Sequence, residues 1–396
     1  MLISFPNMGP NWVAFKTLFT SLGLDVVIPD PTNREAIKIG VKHSPEFVCF
    51  PFKATIGDFV NAIKKGADTL VMAIDCGPCR FGFYASVQER ILRDMGYKDI
   101  TVVPLDQADL LEFNWVKTLQ ELSGRRDLFI YSKFVKAIIF FLKKAKLLND
   151  IQTAEGVFRA YERNQGDTTN TVNGLLTKLD EANTLPVLRK FKNVIKNDFD
   201  GLDIDKTLSP LKVGLSGEIH ISLEPYVNLD IRRKLGEMGI EIHQSLSLYD
   251  WVVHKFHLNY HRKWLEHLSY PYMPMDIGGE ARWVLGEYID KAKAGFDGFV
   301  HEYPFLCMPE VTARTIITNK LKKIYDLPII YFSFDEQSGM EGFRTRLEAF
   351  SDLMHGRRNK EIKNNAKFVS NGNKKIYPHF GDIFYNECYQ LIQNSV

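Results

Sequence analysis

The stretch AIDCGPCRFG, residues 73–82, ends an apolar run and presents two thiols within a single turn. Cysteines at that spacing serve three chemistries: a redox-active dithiol of the thioredoxin kind, half of a zinc site, or part of the ligand set of an iron–sulfur cluster. Each needs thiolates that a tight turn holds close together, so the four letters CGPC do not choose among them. Besides Cys76 and Cys79 the chain has Cys49, Cys307 and Cys388. An odd count of five in 396 residues argues against a disulfide scaffold and for cysteines that act as thiolates.

The elements that must position these thiols follow from the hydrophobic pattern. Over the first 110 or so residues, short apolar runs (LISFP, LDVVIP, EFVCF, DTLVMAI, ITVVPL) alternate with helix-like spacing, as in DFVNAIKKG and SVQERILRDMG. Strands separated by single helices imply crossovers and a parallel sheet, and their even hydrophobicity implies burial on both faces. Between 115 and 205 the period is helical throughout, and KFVKAIIFFLKKAKLL (133–148) is an amphipathic helix too short to span a bilayer. A second alternation follows, with LKVGLSGEI, IEIHQSL, GFVHEYPF and LPIIYFSFD as strands. The expected organisation is α/β: a first domain over 1–115, a helical insert or arm over 116–205, a second α/β domain over 206–358, and a polar tail with a last helix over 359–396.

This layout puts Cys49, Cys76, Cys79 and Cys307 at the carboxyl ends of strands, with Cys49 closing EFVCF. In open parallel sheets loops and helix N-termini converge there, so the four cysteines are expected at one site in the cleft between the domains. Pro51, Pro78 and Pro309 stiffen the adjoining turns, and Lys53 and Arg80 add positive charge nearby. A dithiol reading leaves Cys49 and Cys307 unexplained. Structural zinc comes as short paired knuckles in small units, which this chain lacks. A cluster accepts scattered thiolates, so the spacing favours iron–sulfur, with a zinc-stabilised, non-redox binding module for an acyl-CoA or other small molecule as the alternative. Cys388, in the tail, does not join the set.

Other groups invite weaker readings. Glu218, after a strand and a glycine, is expected in the same cleft as a proton donor, a polar neighbour or a helix cap, and Glu310 is the second such candidate. His254, His257 and His261 fall on one face of a single aromatic helix. An amphipathic helix with solvated histidines explains them better than a metal site. Asp335, Glu336, Arg344, Arg346 and Glu348 read as ion pairs locking domains together, and the basic runs near 143–146 and 357–365 as solvated faces. A net charge of +2 gives no reason to expect nucleic acid or a membrane surface as partner. The N-terminal residues have no signal-peptide pattern, so a cytoplasmic location is expected. No GxxxxGK[ST] loop and no full GxGxxG follows a strand.

HSPEFVCFPFK, DCGPCRFGFY, VGLSGEIHISLEPYVNLDI, EYPFLCMPE and DEQSGMEGFRTRLEAF, in this order, resemble the acyl-CoA dehydratase activase-related family. That family is similar to the cluster-bearing subunits of 2-hydroxyacyl-CoA dehydratases and to the double-cubane cluster proteins. The resemblance implies two Rossmann-like domains and an oxygen-sensitive cluster, [4Fe–4S] or double-cubane [8Fe–9S], held by Cys49, Cys76, Cys79 and Cys307. It also implies low-potential electron transfer or reductive chemistry energised by an ATP-hydrolysing activase of the actin/sugar-kinase type. A related cluster subunit or a second copy of the chain is a further implied partner. One departure stands out: where the family has a Gly-rich stretch containing His, this chain has MDIGGEARW.

Overall fold

The structure is a computed structural model describing residues 1–74, 78–105, 117–118, 120–121, 130–256 and 258–366. The expectations for Cys76, His257 and Cys388 lie outside the described residues.

Two parallel four-stranded sheets organise the chain. The first has β1 (Leu2–Ser4), β2 (Asp25–Val26), β3 (Thr69–Ala73) and β4 (Thr101–Leu105) in the order β2-β1-β3-β4. The second has β5 (Leu211–Gly217), β6 (Ile240–His243), β7 (Gly298–Pro304) and β8 (Ile329–Phe334) in the order β6-β5-β7-β8. Every strand pair is parallel, so the α/β class with two parallel-sheet domains holds. The strand order is the same in both halves. In each, the connection reverses direction between the first and third strands, and there a crevice opens at the carboxyl ends.

The first half carries α1 (Trp12–Ser21), α2 (Arg34–His43), α3 (Phe50–Lys64) and α4 (Tyr84–Asp94). EFVCF is not a strand. Pro51 lies in the first turn of α3, where its missing N–H costs nothing, so the helix starts at Phe50 and Cys49 becomes its N-cap. The apolar run is buried by helix packing instead of by a fifth strand. Gly40 and Gly57 make that packing close. A Cβ at Gly40 would stand 1.7 Å from the Lys53 carbonyl oxygen, and one at Gly57 2.0 Å from that of Ala36.

Three helices occupy the middle of the chain: α5 (Ile130–Phe158), α6 (Asp167–Glu181) and α7 (Leu185–Asp200). Phe141 of α5 packs against Phe15 of α1, with ring centroids 5.7 Å apart. The core they share runs on to Leu246, Leu248 and Trp283 of the second half, so the helical segment is built into the molecule. The basic run at 143–146 is a solvated face only in part: Lys146 is exposed, whereas Lys144 is not. Lys144 is fully buried, donates 3.0 Å to the Asp180 carbonyl, and is pushed down by burial to about 8. Helix α5 packs too broadly to leave that position in water.

The second half adds α8 (Ile219–Leu223), α9 (Ile231–Glu237), α10 (Leu248–Lys255), α11 (Tyr260–Ser269), α12 (Ala281–Lys293), α13 (Met308–Asn319) and α14 (Met340–Ala366). The segment expected as one histidine-bearing helix is two. Ser247 caps α10 and Asn259 caps a separate α11 by accepting from the Arg262 N–H, so His254 and His261 do not share a helix face. His254 instead lies 3.7 Å from Glu266. The two halves are joined by a Lys53–Glu336 ion pair at 2.6 Å and by Glu224, which accepts from the Asn7 side chain and the Gly9 N–H at 2.7 Å each. The Lys53 side chain is only 6% exposed, so its loss of water is offset by that one carboxylate. Among the described residues no helix is long and apolar enough to cross a membrane.

Candidate functional site

The two crevices open on a common cavity of about 160 Å³, lined by Cys49, Cys79 and Cys307 together with Glu218, His220 and Glu280. Phe5 and Pro6 after β1, Ala73 and Ile74 at the end of β3, Glu218 after β5 and Pro304 at the end of β7 also border it. The site therefore stands between the halves, as expected for Cys79, Cys307 and Glu218. Cys49 arrives by a different route, from the head of a helix.

All three described cysteines are N-caps: Cys49 of α3, Cys79 of the short 3₁₀ turn Arg80–Phe83, and Cys307 of α13. Proline in the first turn of α3 and of α13 preorganises both caps. None of these thiols makes a side-chain cap bond at its helix start, where the local dipole favours a negative sulfur. Cys49, Cys79 and Cys307 are free thiols. Cys49 Sγ lies 2.7 Å from the Tyr84 hydroxyl.

Arg80 ties the three cysteine segments together. Its guanidinium donates to the Phe47 carbonyl at 2.5 Å, two residues before Cys49, and to the Leu306 carbonyl immediately before Cys307. Leu306 holds a positive φ of 65°, an uncommon conformation for a branched residue, and the contact with Arg80 fixes it. Lys53, the other nearby cation, is committed to Glu336. MDIGGEARW forms part of the site. Gly278 has φ +78°, and a Cβ there would be 3.1 Å from Cys79 Cβ, so a side chain would crowd the thiol.

Burial dominates the electrostatics. It raises the Cys49 thiol, pushes Cys79 up to about 12, and drives Cys307 well above the usual thiol range, with the nearby Glu310 carboxyl adding to the effect on Cys307. Burial, reinforced by Glu280, lifts Glu218 to about 8, although its carboxyl caps α8 by accepting from the His220 and Ile221 N–H groups. Without a bound cation Cys49, Cys79, Cys307 and Glu218 are thus neutral acids. A soft cation that compensates the desolvation would draw the thiols into the thiolate form.

Glu310 does not line this cavity. It is fully buried in the first turn of α13, with Oε2 2.7 Å from His301 Nε2. Burial pushes His301 down to about 3 and Glu310 up to about 8, so they form a neutral hydrogen bond behind the site, not an ion pair. Among the described residues no three His, Cys, Asp or Glu side chains gather closely enough to hold one metal ion. Sequence reasoning missed Glu280 and His220. The glycine pair before a helix is the signal for Glu280, but only the fold shows that it lies beside Cys79.

Fold and site together define a two-halved α/β protein with a thiol- and carboxyl-lined cavity between the halves. Residues 6–73, which include Cys49, match the profile described as a CoA enzyme activase uncharacterised domain. The match supports an acyl-CoA dehydratase activase-related family. Comparison with curated proteins gives no match.

Proposed function

We propose that the chain is a cytoplasmic iron–sulfur protein of the 2-hydroxyacyl-CoA dehydratase and activase-related type, with Cys49, Cys76, Cys79 and Cys307 as cluster ligands. The observation that carries this reading is the convergence of Cys49, Cys79 and Cys307, from both halves, on one cavity at three helix starts. The donors suit such a group. They are soft, free of disulfides, and neutral until a cation arrives. Ligands of a single zinc ion must meet at one point, about 2.3 Å from each sulfur, whereas cluster thiolates each bind a separate iron. The cluster would supply a low-potential electron for reductive chemistry. Arg80 would hold the ligand segments in register, and Glu218 would keep a proton beside them. The energy would come from an ATP-hydrolysing activase partner, with a related cluster subunit or a second copy as a further partner.

The test is metal and acid-labile sulfide analysis of anaerobically purified protein. Brown protein containing both iron and sulfide is the expected result. Colourless protein with stoichiometric zinc and no sulfide overturns the reading in favour of the zinc-stabilised module.

A further inference from the structure

One aromatic residue of the cavity wall is held in a single orientation by the segments that carry the thiols. Tyr84 opens α4 directly after the 3₁₀ turn that Cys79 caps, and it is buried against the cavity. Its ring meets Phe52 of α3 with centroids 5.0 Å apart, and Phe81 of the turn at 5.2 Å, both edge to face. Phe52 lies three residues after Cys49, and Phe81 two after Cys79. Edge-to-face contacts on two sides fix the plane of the ring, and with it the position of the hydroxyl.

That hydroxyl meets Cys49 Sγ at 2.7 Å. In the free thiol either atom can give the proton. A thiolate bound to iron has no proton to give, so the bond then runs one way, with Tyr84 donating and the sulfur accepting. A donor on a ligand sulfur draws negative charge away from the iron. It therefore favours the state that holds one more electron, which is why hydrogen bonds to the sulfurs help to set the potential of such groups. Packing alone does not call for the oxygen, because phenylalanine at this position would keep both ring contacts.

We infer that Tyr84 is a positioning residue whose hydrogen bond to Cys49 Sγ raises the reduction potential of the cluster. The single electron supplied by the activase partner enters the cluster, and the proton stays on the Tyr84 oxygen. This inference rests on the cluster reading and extends it to a residue that is not a ligand.

Tyr84→Phe removes one oxygen and leaves the ring in place. In full-length protein purified without oxygen, the variant is expected to hold iron and sulfide at the wild-type level. At a fixed potential its ratio of reduced to oxidised cluster should be roughly tenfold lower, equivalent to about 59 mV for one electron. Electron–nuclear double resonance of the reduced wild type should show an exchangeable proton that is absent from the variant. A variant that matches the wild type in potential or in proton signal overturns the inference and leaves the cluster reading standing. Loss of iron from the variant overturns it as well, since the hydroxyl then retains the metal instead of setting its potential. Wild-type protein without iron and sulfide removes the cluster reading and this inference together.

Discussion

The two halves share one strand order but furnish the site differently. In the first half the helix before the third strand, α3, starts at Cys49. Its counterpart in the second half, α12, starts at Glu280. After the third strand the first half has Cys79 and the second has Cys307. The helices that carry Cys49 and Glu280 are seated alike. Gly57 lets α3 cross α2, and Gly286 lets α12 cross α11, where a Cβ would stand 2.1 Å from the Leu265 carbonyl oxygen. The halves thus agree in backbone and differ in side chains, with thiols dominating one wall and carboxyls the other. Topology decides where functional groups stand, and the residues at helix starts decide what they are.

The sharpest break of this comparison is by ligand removal. Cys49→Ala and Cys307→Ala are each expected to abolish or badly destabilise cluster binding, read as iron and sulfide content. Glu280→Gln, at the position matching Cys49, is expected to retain iron, as is Cys388→Ala. Full iron occupancy in Cys307→Ala would falsify a site shared by the halves.

Next in size are the helix crossings. Gly57→Ala and Gly286→Ala each force a methyl into a carbonyl oxygen and should cost about 3 kcal/mol or more, read as a lower denaturation midpoint at unchanged slope. A large effect at only one of the two would show that the halves are not seated equivalently.

The carboxyls of the second half yield a pH prediction. Glu302 and Glu310 are fully buried and Glu218 half-buried, and all three stand near 8, raised chiefly by burial from 4.5. The folded state keeps these protons where the unfolded chain releases them. The resulting stability is complete below the unfolded value and is lost as the pH rises through about 8. Cluster-free protein should therefore be more stable at pH 5.5 than at pH 7.5. Each carboxyl contributes at most about 1.4 kcal/mol per pH unit to the slope, and Glu310→Gln should remove one such share. A flat profile over this interval contradicts the assignment of neutral carboxyls.

The smallest expected effect is at the surface of the second half. Glu348→Ala breaks an exposed pair with Arg344 and should leave the denaturation midpoint essentially unchanged, a baseline for the others.

Much of this protein was legible in its sequence. Runs such as DTLVMAI and GFVHEYPF, dense in apolar and β-branched residues between helix-period segments, determine two parallel sheets, because a strand buried on both faces has no polar side to show. CGPC and the Cys-x-Pro of CFP and CMP likewise advertise thiols at preorganised turns. The tertiary structure alone decided the rest. EFVCF looks like a strand, yet Pro51 and the α2–α3 contact make it the approach to a helix, and local propensity does not record that contact. Lys144 looks solvated until α5 is seen to turn that position against the rest of the helical segment. The unbonded His220, the place of Gly278 against Cys79, and the reach of Arg80 across both halves depend on residues distant in the chain. Periodicity reports which face of an element is buried. What it is buried against is set by long-range packing, and the cavity between the halves is made there.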